Sequence, residues 1–392
     1  MKTEWQTKKL NEVCDFQNGF AFKSKLFKGK GFPVLRISNI QNDGISYNKL
    51  VYFDKKSYKE NFDKYQVKKG DLVIAMSGAT TGKLAVCDTD EIFYLNQRVG
   101  KFKPKKELLK DYLYYFLSTR IEENLKISTG SAQPNLSTEQ IKNFKIPLPP
   151  LSEQHRIVKI LDEVFEKTAK AKENAEKNIQ NTKDLFDIYL QNIFTNKGKG
   201  WTIKKLSEVA EYFNGLTYSP KNVSDEGIIV LRSSNVQNNE LDFSDIVRVN
   251  CTVKEKIIVQ DGDILMCSRN GSKRLVGKTA TIQGLTETMT FGTFMMIIRS
   301  TYNPYLAWFF KSSEFRKQIS RGENTMINQI TRYMLDDIII SFPSPKERNN
   351  IAAKIKALSA ETKKLEAIYK QKLVDLEELK KSVLKKAFNG EL

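Results

Sequence analysis

The sequence predicts an α+β fold in which two repeated mixed α/β globular domains are joined by two long coiled-coil helices, with a pseudo-two-fold relation between the halves. An internal repeat carries this prediction: KKLNEV at residues 8–13 returns as KKLSEV at 204–209, and VLRISNIQN at 34–42 returns as VLRSSNVQN at 230–238, each 196 residues later. A proline segment and a long helical pattern follow each copy. A two-fold partner is therefore expected, such as duplex DNA or a pair of identical subunits.

The two globular domains are predicted over residues 1–150 and 197–345. Each contains short β-rich runs separated by Gly, Asn and Asp turns, such as FPVLRIS and DLVIAM in the first copy and IIVLRSS and FMMIIRS in the second. Each also contains a helical stretch, at residues 108–124 and 304–319. Strands and a helix in one segment, repeated, indicate an α+β domain built twice.

Prolines mark the end of both domains, in IPLPPL at residues 146–151 and in SFPSPKE at 341–347. Proline continues neither a strand ladder nor a preceding helix. The long helices are therefore predicted to follow, as segments 151–196 and 346–392. Ser152 and Ser344 are the expected N-caps, with Pro345 at the first helical position.

Both long helices carry apolar residues three and four positions apart, which is typical of a coiled-coil seam. At ~1.5 Å per residue each helix is about 60 Å long and projects beyond its own domain, so its expected partner is its repeat. The predicted seam positions are Ile157, Leu161, Val164, Ala171, Ala175, Leu185, Tyr189 and Ile193 in the first helix, and Ile351, Ile355, Leu358, Leu365, Tyr369, Leu376, Leu379 and Val383 in the second.

The formal net charge of +18 and the pI of about 9.4 favour a polyanionic partner such as nucleic acid. An AT-biased genome encodes lysine-rich proteins, which gives the same excess of positive charge without such a partner. No apolar run has the length of a membrane span and the first residues form no apolar leader, so we expect a cytoplasmic protein with no membrane partner. The four cysteines include no C-x-x-C pair, which indicates free thiols and no metal site.

Catalytic motifs are missing from the sequence. The single histidine, His155, excludes His-dependent triads and His-rich metal sites. GATTGKL at residues 78–84 and GSKRLVGKT at 271–279 have three and five residues between their glycines, where a phosphate-binding loop has four. No dinucleotide, methyltransferase or nuclease signature is found. We therefore expect a non-catalytic protein without a cofactor of its own.

The loops are rich in side chains that read base edges, since Arg pairs with guanine and Asn or Gln with adenine. The DNA-binding candidates are Ser77, Thr80, Thr81, Lys83, Asn96, Gln97, Arg98, Gln133 and Asn135 in the first copy, and Arg269, Asn270, Ser272, Lys273, Arg274, Lys278, Asn324 and Asn328 in the second. Because GATTGK and RNGSKRLVGK differ between the copies, they are expected to read different sequences.

Other polar residues of the loops have a competing interpretation. Arg36 with Asn39 and Arg232 with Asn235 are kept in both copies, which favours a scaffold role in a turn. The lysines at positions 23, 25, 28 and 30 are candidates for phosphate contacts, and a solvated surface explains them equally well.

In this arrangement the sequence resembles the specificity subunit of a type I restriction–modification system. The resemblance covers the whole chain and depends on W…KKLNEVCDFQNG, GDLVIAMSGATTGK, QPNLSTEQIKNFKIPLPPLSEQHRIV and LEELKKSVLKKAFNGEL. It implies two DNA-recognition domains, each reading one half of a split site in double-stranded DNA, and two antiparallel helices that set the gap.

The resemblance also implies the partners: two methyltransferase subunits, joined by nuclease–translocase subunits. S-adenosylmethionine, ATP and magnesium would then belong to those partners. We expect the outer faces of the long helices, with Phe165, Phe186, Phe194 and Phe388, to recruit the methyltransferase.

The second copy departs from the family pattern. SFPSPKERNNI lacks the L-P-P-L-x-E-Q form, and ENTMINQIT stands in place of SAQPNLST. Two alternatives therefore stay open from the residues alone: a coiled-coil scaffold that binds only proteins, and a DNA-modifying enzyme with degenerate motifs.

Overall fold

The structure is a computed structural model that describes residues 5–41, 44–128, 135–196, 198–320 and 329–392. Its contacts divide the chain into two compact units, residues 1–175 with 371–392, and residues 176–370. Each unit therefore combines one globular part with a part of both long helices. We call the globular part of the first unit head 1 (residues 5–150) and that of the second head 2 (residues 198–344).

Head 1 is a chain of short strands with three helices. In order they are β1 (Gln6–Lys9), α1 (Leu10–Val13), β2 (Cys14–Asn18), β3 (Phe32–Leu35), β4 (Ile40–Gln41), β5 (Gly44–Ile45), β6 (Val51–Phe53), β7 (Gln66–Val67), β8 (Leu72–Ala75), β9 (Leu84–Val86), β10 (Phe93–Leu95), β11 (Val99–Pro104), α2 (Lys110–Ser128), α3 (Thr138–Lys142) and β12 (Lys145–Leu148). The first long helix, α4, covers Leu151–Thr195.

Head 2 repeats this plan and is followed by the second long helix, α8 (Pro345–Phe388). Its elements are β13 (Thr202–Lys205), β14 (Glu211–Asn214), β15 (Val223–Ser224), β16 (Ile228–Leu231), β17 (Val236–Gln237), β18 (Glu240–Leu241), β19 (Arg248–Val249), β20 (Ile264–Cys267), β21 (Thr279–Thr281), β22 (Met289–Phe291), β23 (Met295–Arg299), α5 (Asn303–Phe309), α6 (Ser313–Ser320), α7 (Arg332–Asp336) and β24 (Ile339–Phe342).

Two four-stranded sheets form each head. In head 1 the antiparallel sheet has the order β2-β11-β8-β9, and a second sheet, β6-β3-β10-β7, contains the parallel pair β3–β10. Strand β8 is apolar throughout because it is buried on both faces: Leu72 and Ile74 point into one core, Val73 and Ala75 into another. The run DLVIAM therefore predicts the central strand correctly.

In head 2 the antiparallel sheet β14-β23-β20-β21 repeats this order. The second sheet, β15-β19-β16-β22, keeps the parallel pair β16–β22 but has β15 added beside β19, and among the described residues no strand takes the place of β7. Phe16 lies opposite Phe102 in the β2–β11 pair, and Tyr212 lies opposite Ile298 in the β14–β23 pair. The repeated Asn-Gly dipeptide has a steric cause in both heads. A Cβ atom at Gly19 would lie 2.1 Å from the carbonyl oxygen of Asn96, and one at Gly215 would lie 2.1 Å from that of Gly292. Only glycine allows this approach of two backbones.

The predicted helical stretch at 304–319 is wrong as a single helix, since the structure has α5 and α6 there. Ser312 separates them: its hydroxyl donates to the carbonyl of Phe309 and accepts the backbone N–H of Phe315. A serine that bonds to the backbone in this way ends one helix and begins the next.

The starts of the long helices match the proline signals in one case and differ by one residue in the other. Ser344 accepts the N–H of Glu347 and Pro345 is the first residue of α8, as predicted. Helix α4 begins at Leu151, so Ser152 lies inside its first turn and is not the N-cap. The nearby Gln154 is fully buried and bonds to Leu109 and to the carbonyls of Glu107 and Pro149, which joins the helix to head 1.

In the first unit the two long helices run antiparallel. Arg156 near the start of α4 donates to the backbone carbonyl of Leu392, and Lys172 further along pairs with Glu377 at 3.4 Å. Ile157 and Leu161 of this seam are fully buried. In the second unit the end of α4, with Leu190 and Phe194, shares a core with Ile355 near the start of α8.

Two expectations about the helix faces are wrong. Leu185, Leu365 and Leu379 are 64%, 41% and 46% exposed and do not lie in a seam. The four phenylalanines assigned to the outer faces pack inward instead, Phe165 on Tyr115, Phe186 on Trp308, Phe194 on Tyr305 and Phe388 on Tyr112. Helical periodicity identifies an apolar side chain, but not whether it meets the other helix, the head or solvent.

Among the described residues no helix combines the length and apolarity needed to cross a membrane. The four cysteines are free, and Cys14, Cys87 and Cys267 are buried. Burial raises the pKa of Cys14 to about 12, which makes its thiol unreactive.

Candidate nucleic-acid interface

Three loops of head 1 meet at the ends of β8 and β10. Ser77, after β8, forms a bridge with Asn135, and the N–H of Leu136 donates to the carbonyl of Met76 at 2.8 Å. The turn between β10 and β11 joins them, because the N–H of Met76 donates to the carbonyl of Arg98 at 2.9 Å. Candidates more than 50 residues apart in sequence therefore share one surface.

The side chains in this cluster divide into anchored and available ones. Thr80 donates to the carbonyl of Ile37 at 3.0 Å, Thr81 donates to that of Gly78 at 2.7 Å, and Lys83 donates to the Gln41 side chain at 3.1 Å. Gln97 and Arg98 are exposed at the tip of the turn and make no side-chain hydrogen bond or ion pair with a described residue. These two side chains are therefore available to a ligand of head 1.

The remaining candidates of head 1 differ in exposure. Asn135 is exposed and Asn96 half-buried beside the available pair. Ser77 is buried, and its hydroxyl has no partner among the described residues.

Head 2 brings the equivalent loops together in the same way. Arg269, after β20, bridges to Gln329, and the N–H of Ile330 donates to the carbonyl of Ser268 at 2.7 Å. The β22–β23 turn closes the cluster, because the N–H groups of Ser268 and Arg269 both donate to the carbonyl of Phe294, at 3.0 and 3.1 Å.

Four candidates of head 2 lie exposed in this cluster, namely Arg269, Ser272, Lys273 and Arg274. Asn270 is half-buried, and its amide donates to the Ser233 hydroxyl at 3.3 Å. Lys278 is turned inward: its ammonium donates to the carbonyls of Ser233 and Val236, and burial lowers its pKa. This contact fixes the loop to the segment before β17.

The residues kept in both copies form a scaffold, as their repetition indicates. Asn39 is 2% exposed, accepts the N–H of Arg36 and donates to the carbonyl of Ser46. Asn235 is 1% exposed and makes the equivalent bonds with Arg232 and Asp242. Buried amides that satisfy backbone groups hold a turn together.

Arginine pairing separates structural from available cations. The guanidinium groups of Arg232, Arg248 and Arg299 pair with Asp245, Glu287 and Asp263. Those of Arg98, Arg269, Arg274 and Arg332 make no hydrogen bond or ion pair with any residue that the structure describes. In each head the unpaired arginines lie at the loop cluster or on the helix beside it.

Three candidates, Gln133, Asn324 and Asn328, lie outside the described residues. Of the lysines proposed for phosphate contacts, Lys28 pairs with Asp54 at 3.3 Å, whereas Lys23, Lys25 and Lys30 are exposed.

Three exposed residues of head 2 were missed from the sequence: Phe294 (56% exposed), Tyr333 (84% exposed) and Arg332. Phe294 is equivalent to Arg98 of head 1. The carbonyl of Arg98 accepts the N–H of Met76, the first residue after β8, and the carbonyl of Phe294 accepts that of Ser268, the first residue after β20. Alignment at the 196-residue offset would have paired these two positions.

An open cavity of about 530 Å³ in head 2 is lined by residues of β14, by Lys256 and Ile257, and by Arg332 and Asp336 of α7. The hydroxyl of Tyr212, which stands where head 1 has Phe16, is buried there and has no hydrogen-bond partner among the residues that the structure describes, and burial raises its pKa. Within the described ranges no group of His, Cys, Asp and Glu side chains is arranged to hold a metal ion.

Comparison with known proteins matches both halves of the chain to one family. The model of the type I restriction modification DNA specificity domain matches residues 2–181 and again 198–374. The specificity subunit of the EcoKI type I restriction enzyme from Escherichia coli K12 is 27% identical over 99% of this chain and 89% of its own length. That of MjaVIII from Methanocaldococcus jannaschii is 35% identical over 44% of this chain and 43% of its own.

Solved structures show the same fold. A chain from a type I restriction–modification system, studied for complex assembly and conformational transition, superposes with a TM-score of 0.80 at 19% identity and covers 99% of this chain and 98% of its own. The HsdS subunit from Thermoanaerobacter tengcongensis gives 0.65 at 19% identity, covering 100% and 98%. Because the family model matches nearly the whole chain in two copies, the protein belongs to the family of type I restriction–modification DNA specificity subunits.

Proposed function

We propose that this protein is the non-catalytic specificity subunit of a type I restriction–modification complex, and that each head reads one half of a bipartite site in duplex DNA. The observation that carries this is the pair of equivalent loop clusters, built on the same strands but equipped with different side chains. Identical scaffolds with different exposed residues are what two unlike half-sites require.

The charge of the clusters supports a DNA partner. Available cations, Arg98 in head 1 and Lys273 and Arg274 in head 2, stand where no described carboxylate neutralises them. Contacts of such groups with phosphates release counterions, so affinity should fall steeply with salt.

We assign the gap between the half-sites to the two long helices. Each helix is continuous from one unit into the other, and in the first unit the two are joined side by side through the Lys172–Glu377 pair. Rigid helices of this kind fix a separation in a way that a flexible linker does not. By analogy with two-fold readers, the gap is about one turn of DNA.

We assign methyltransferase docking to exposed apolar residues of the helices. Leu185 with Ile188, and Leu365 with Ile368, are pairs three residues apart that are each more than 40% exposed. Such pairs share one helix face and offer apolar area to a partner. S-adenosylmethionine, ATP and magnesium are assigned to the methyltransferase and nuclease–translocase subunits.

The test is to purify the complex with its methyltransferase and to map methylated bases in DNA. We expect one bipartite motif with a fixed gap, and no methylation, cleavage or ATP hydrolysis by the isolated chain. S-adenosylmethionine binding by the isolated chain would overturn the non-catalytic assignment. Binding of the isolated chain to random duplex DNA should weaken with salt, and its absence would favour a protein scaffold.

A further inference from the structure

Head 2 contains an arginine held over an exposed aromatic ring. The guanidinium carbon of Arg269 lies 5.5 Å from the ring centroid of Phe294, within the range of a cation–π contact. The ring is 56% exposed although it is a large apolar side chain. The guanidinium of Arg269 makes no hydrogen bond or ion pair with a described residue, so its N–H donors stay available.

The backbone beneath this pair is fixed at three points. The N–H of Arg269 donates to the carbonyl of Phe294 at 3.1 Å, Arg269 bridges to Gln329, and the thiol of Cys267 donates to the carbonyl of Arg269 at 3.5 Å. An arginine whose backbone is fixed and whose fork rests on a ring loses less side-chain entropy on binding than a free one.

Head 1 has different residues at the two equivalent positions. The residue after its central strand that corresponds to Arg269 is Ser77, and the turn residue that corresponds to Phe294 is Arg98. The arginine has thus changed loops between the heads, and an aromatic ring has taken the place it occupied. The Phe294 ring is 56% exposed, and the guanidinium of Arg269 lies over it.

We propose that Arg269 reads a guanine in the second half-site and that Phe294 is the positioning residue that orients its fork. This rests on the proposed function, because it names the base chemistry of the same interface. The planar fork of an arginine presents two N–H donors to O6 and N7 of guanine, which is the pairing that specifies this base.

The test uses the complete complex with its methyltransferase and maps methylated sites for Arg269→Ala, Arg269→Lys, Phe294→Ala and Phe294→Tyr. We expect Arg269→Ala to relax one G·C position of the second half-site by about fivefold to a hundredfold. Phe294→Ala should relax the same position by about twofold to fivefold, and Phe294→Tyr, which keeps the ring, should restore it. Phe294→Ala should add nothing to Arg269→Ala, since both act through one contact.

Each other outcome has one meaning. A second half-site without a G·C pair, or a uniform loss of methylation over all sequences in Arg269→Ala, overturns the inference and leaves the proposed function intact. Relaxation by Phe294→Ala at a different position removes the positioning role. Unchanged selectivity at the first half-site serves as the folding control for every variant. If the unmodified complex has no bipartite motif, the proposed function itself fails.

Discussion

Heads 1 and 2 differ least where they are most buried and most where their loops are exposed. Asn39 and Asn235 make the same backbone contacts, and Gly19 and Gly215 face the same close approach. At the loop cluster the equivalent positions hold Ser77 against Arg269, and Arg98 against Phe294. The repeat therefore preserves what builds the cluster and varies what the cluster presents, as expected when two sites share a frame but not a ligand.

The loops themselves are fixed by different bonds in the two heads. In head 1, Lys83 reaches the side chain of Gln41, and Thr80 reaches the carbonyl of Ile37. In head 2, the longer loop is fixed by Lys278 on two backbone carbonyls. The lysine of the repeated G-K dipeptide is half-buried in both heads, but it bonds to a side chain in head 1 and to two backbone carbonyls in head 2.

The largest effect is expected from the shared buried amides. Asn235→Ala leaves the N–H of Arg232 and the carbonyls of Asp242 and Asp245 without partners, and should lower the free energy of unfolding of the second unit by about 3 kcal/mol. Asn39→Ala should do the same to the first unit. Urea unfolding measures both. Single substitutions typically cost ~1 kcal/mol, so a loss of unfolding free energy below about 0.5 kcal/mol would contradict the scaffold role.

The next effect separates the heads by function. Arg98→Ala should affect the first half-site only, and Arg274→Ala the second only. If the arginine contacts a base, discrimination between bases at one position should fall by about 2 kcal/mol. If it contacts a phosphate, affinity should fall equally for all sequences of that half-site. Methylation mapping of both variants is the measurement. An equal loss at both half-sites in either variant would contradict separate reading by the two heads.

A smaller effect distinguishes the two lysines. Lys278→Met removes two half-buried hydrogen bonds and should destabilise the second unit by about 1 kcal/mol, because the relief of partial ammonium burial offsets part of the loss. Lys83→Met is the matched control and should change the stability of the first unit by less than about 0.5 kcal/mol. Thermal unfolding of the two variants compares them, and equal shifts would show that both contacts matter alike.

The smallest effect depends on pH and is expected from Lys311 in head 2. Burial, and secondarily the charge of Lys363, lower the pKa of Lys311 to about 8. Between pH 8 and about 10.4 the unfolded chain holds the proton that the folded chain has lost, so this group makes stability rise with pH. Lys311→Met should be more stable than the natural chain at pH 7, by about 1 kcal/mol, and the difference should shrink toward pH 10.

The quantity to measure is the difference in unfolding free energy between Lys311→Met and the natural chain, as a function of pH. Buried thiols with raised pKa, such as Cys267, make the stability of both fall over the same range. A pH-independent difference would show that Lys311 titrates normally in the folded protein.

The sequence by itself determined that the same domain and the same long helix occur twice, because repeats at a constant offset, proline signals and helical periodicity are local patterns. It also identified Arg98, Arg269 and Arg274 as exposed loop cations. It placed Phe165, Phe186, Phe194 and Phe388 on the wrong face and Leu185 in the seam, since periodicity shows that a side chain is apolar but not what covers it.

Only the tertiary structure decided which polar residues remain available. The sequence does not distinguish Lys278 and Asn270 from their exposed neighbours, but in the structure they bond to groups more than 30 residues away. From its residue type Phe294 is expected in the core, yet in the structure its ring is exposed at the turn, with Arg269 over it. The physical reason is that availability depends on which distant groups the strands bring within hydrogen-bonding distance, and no local pattern of residues contains that information.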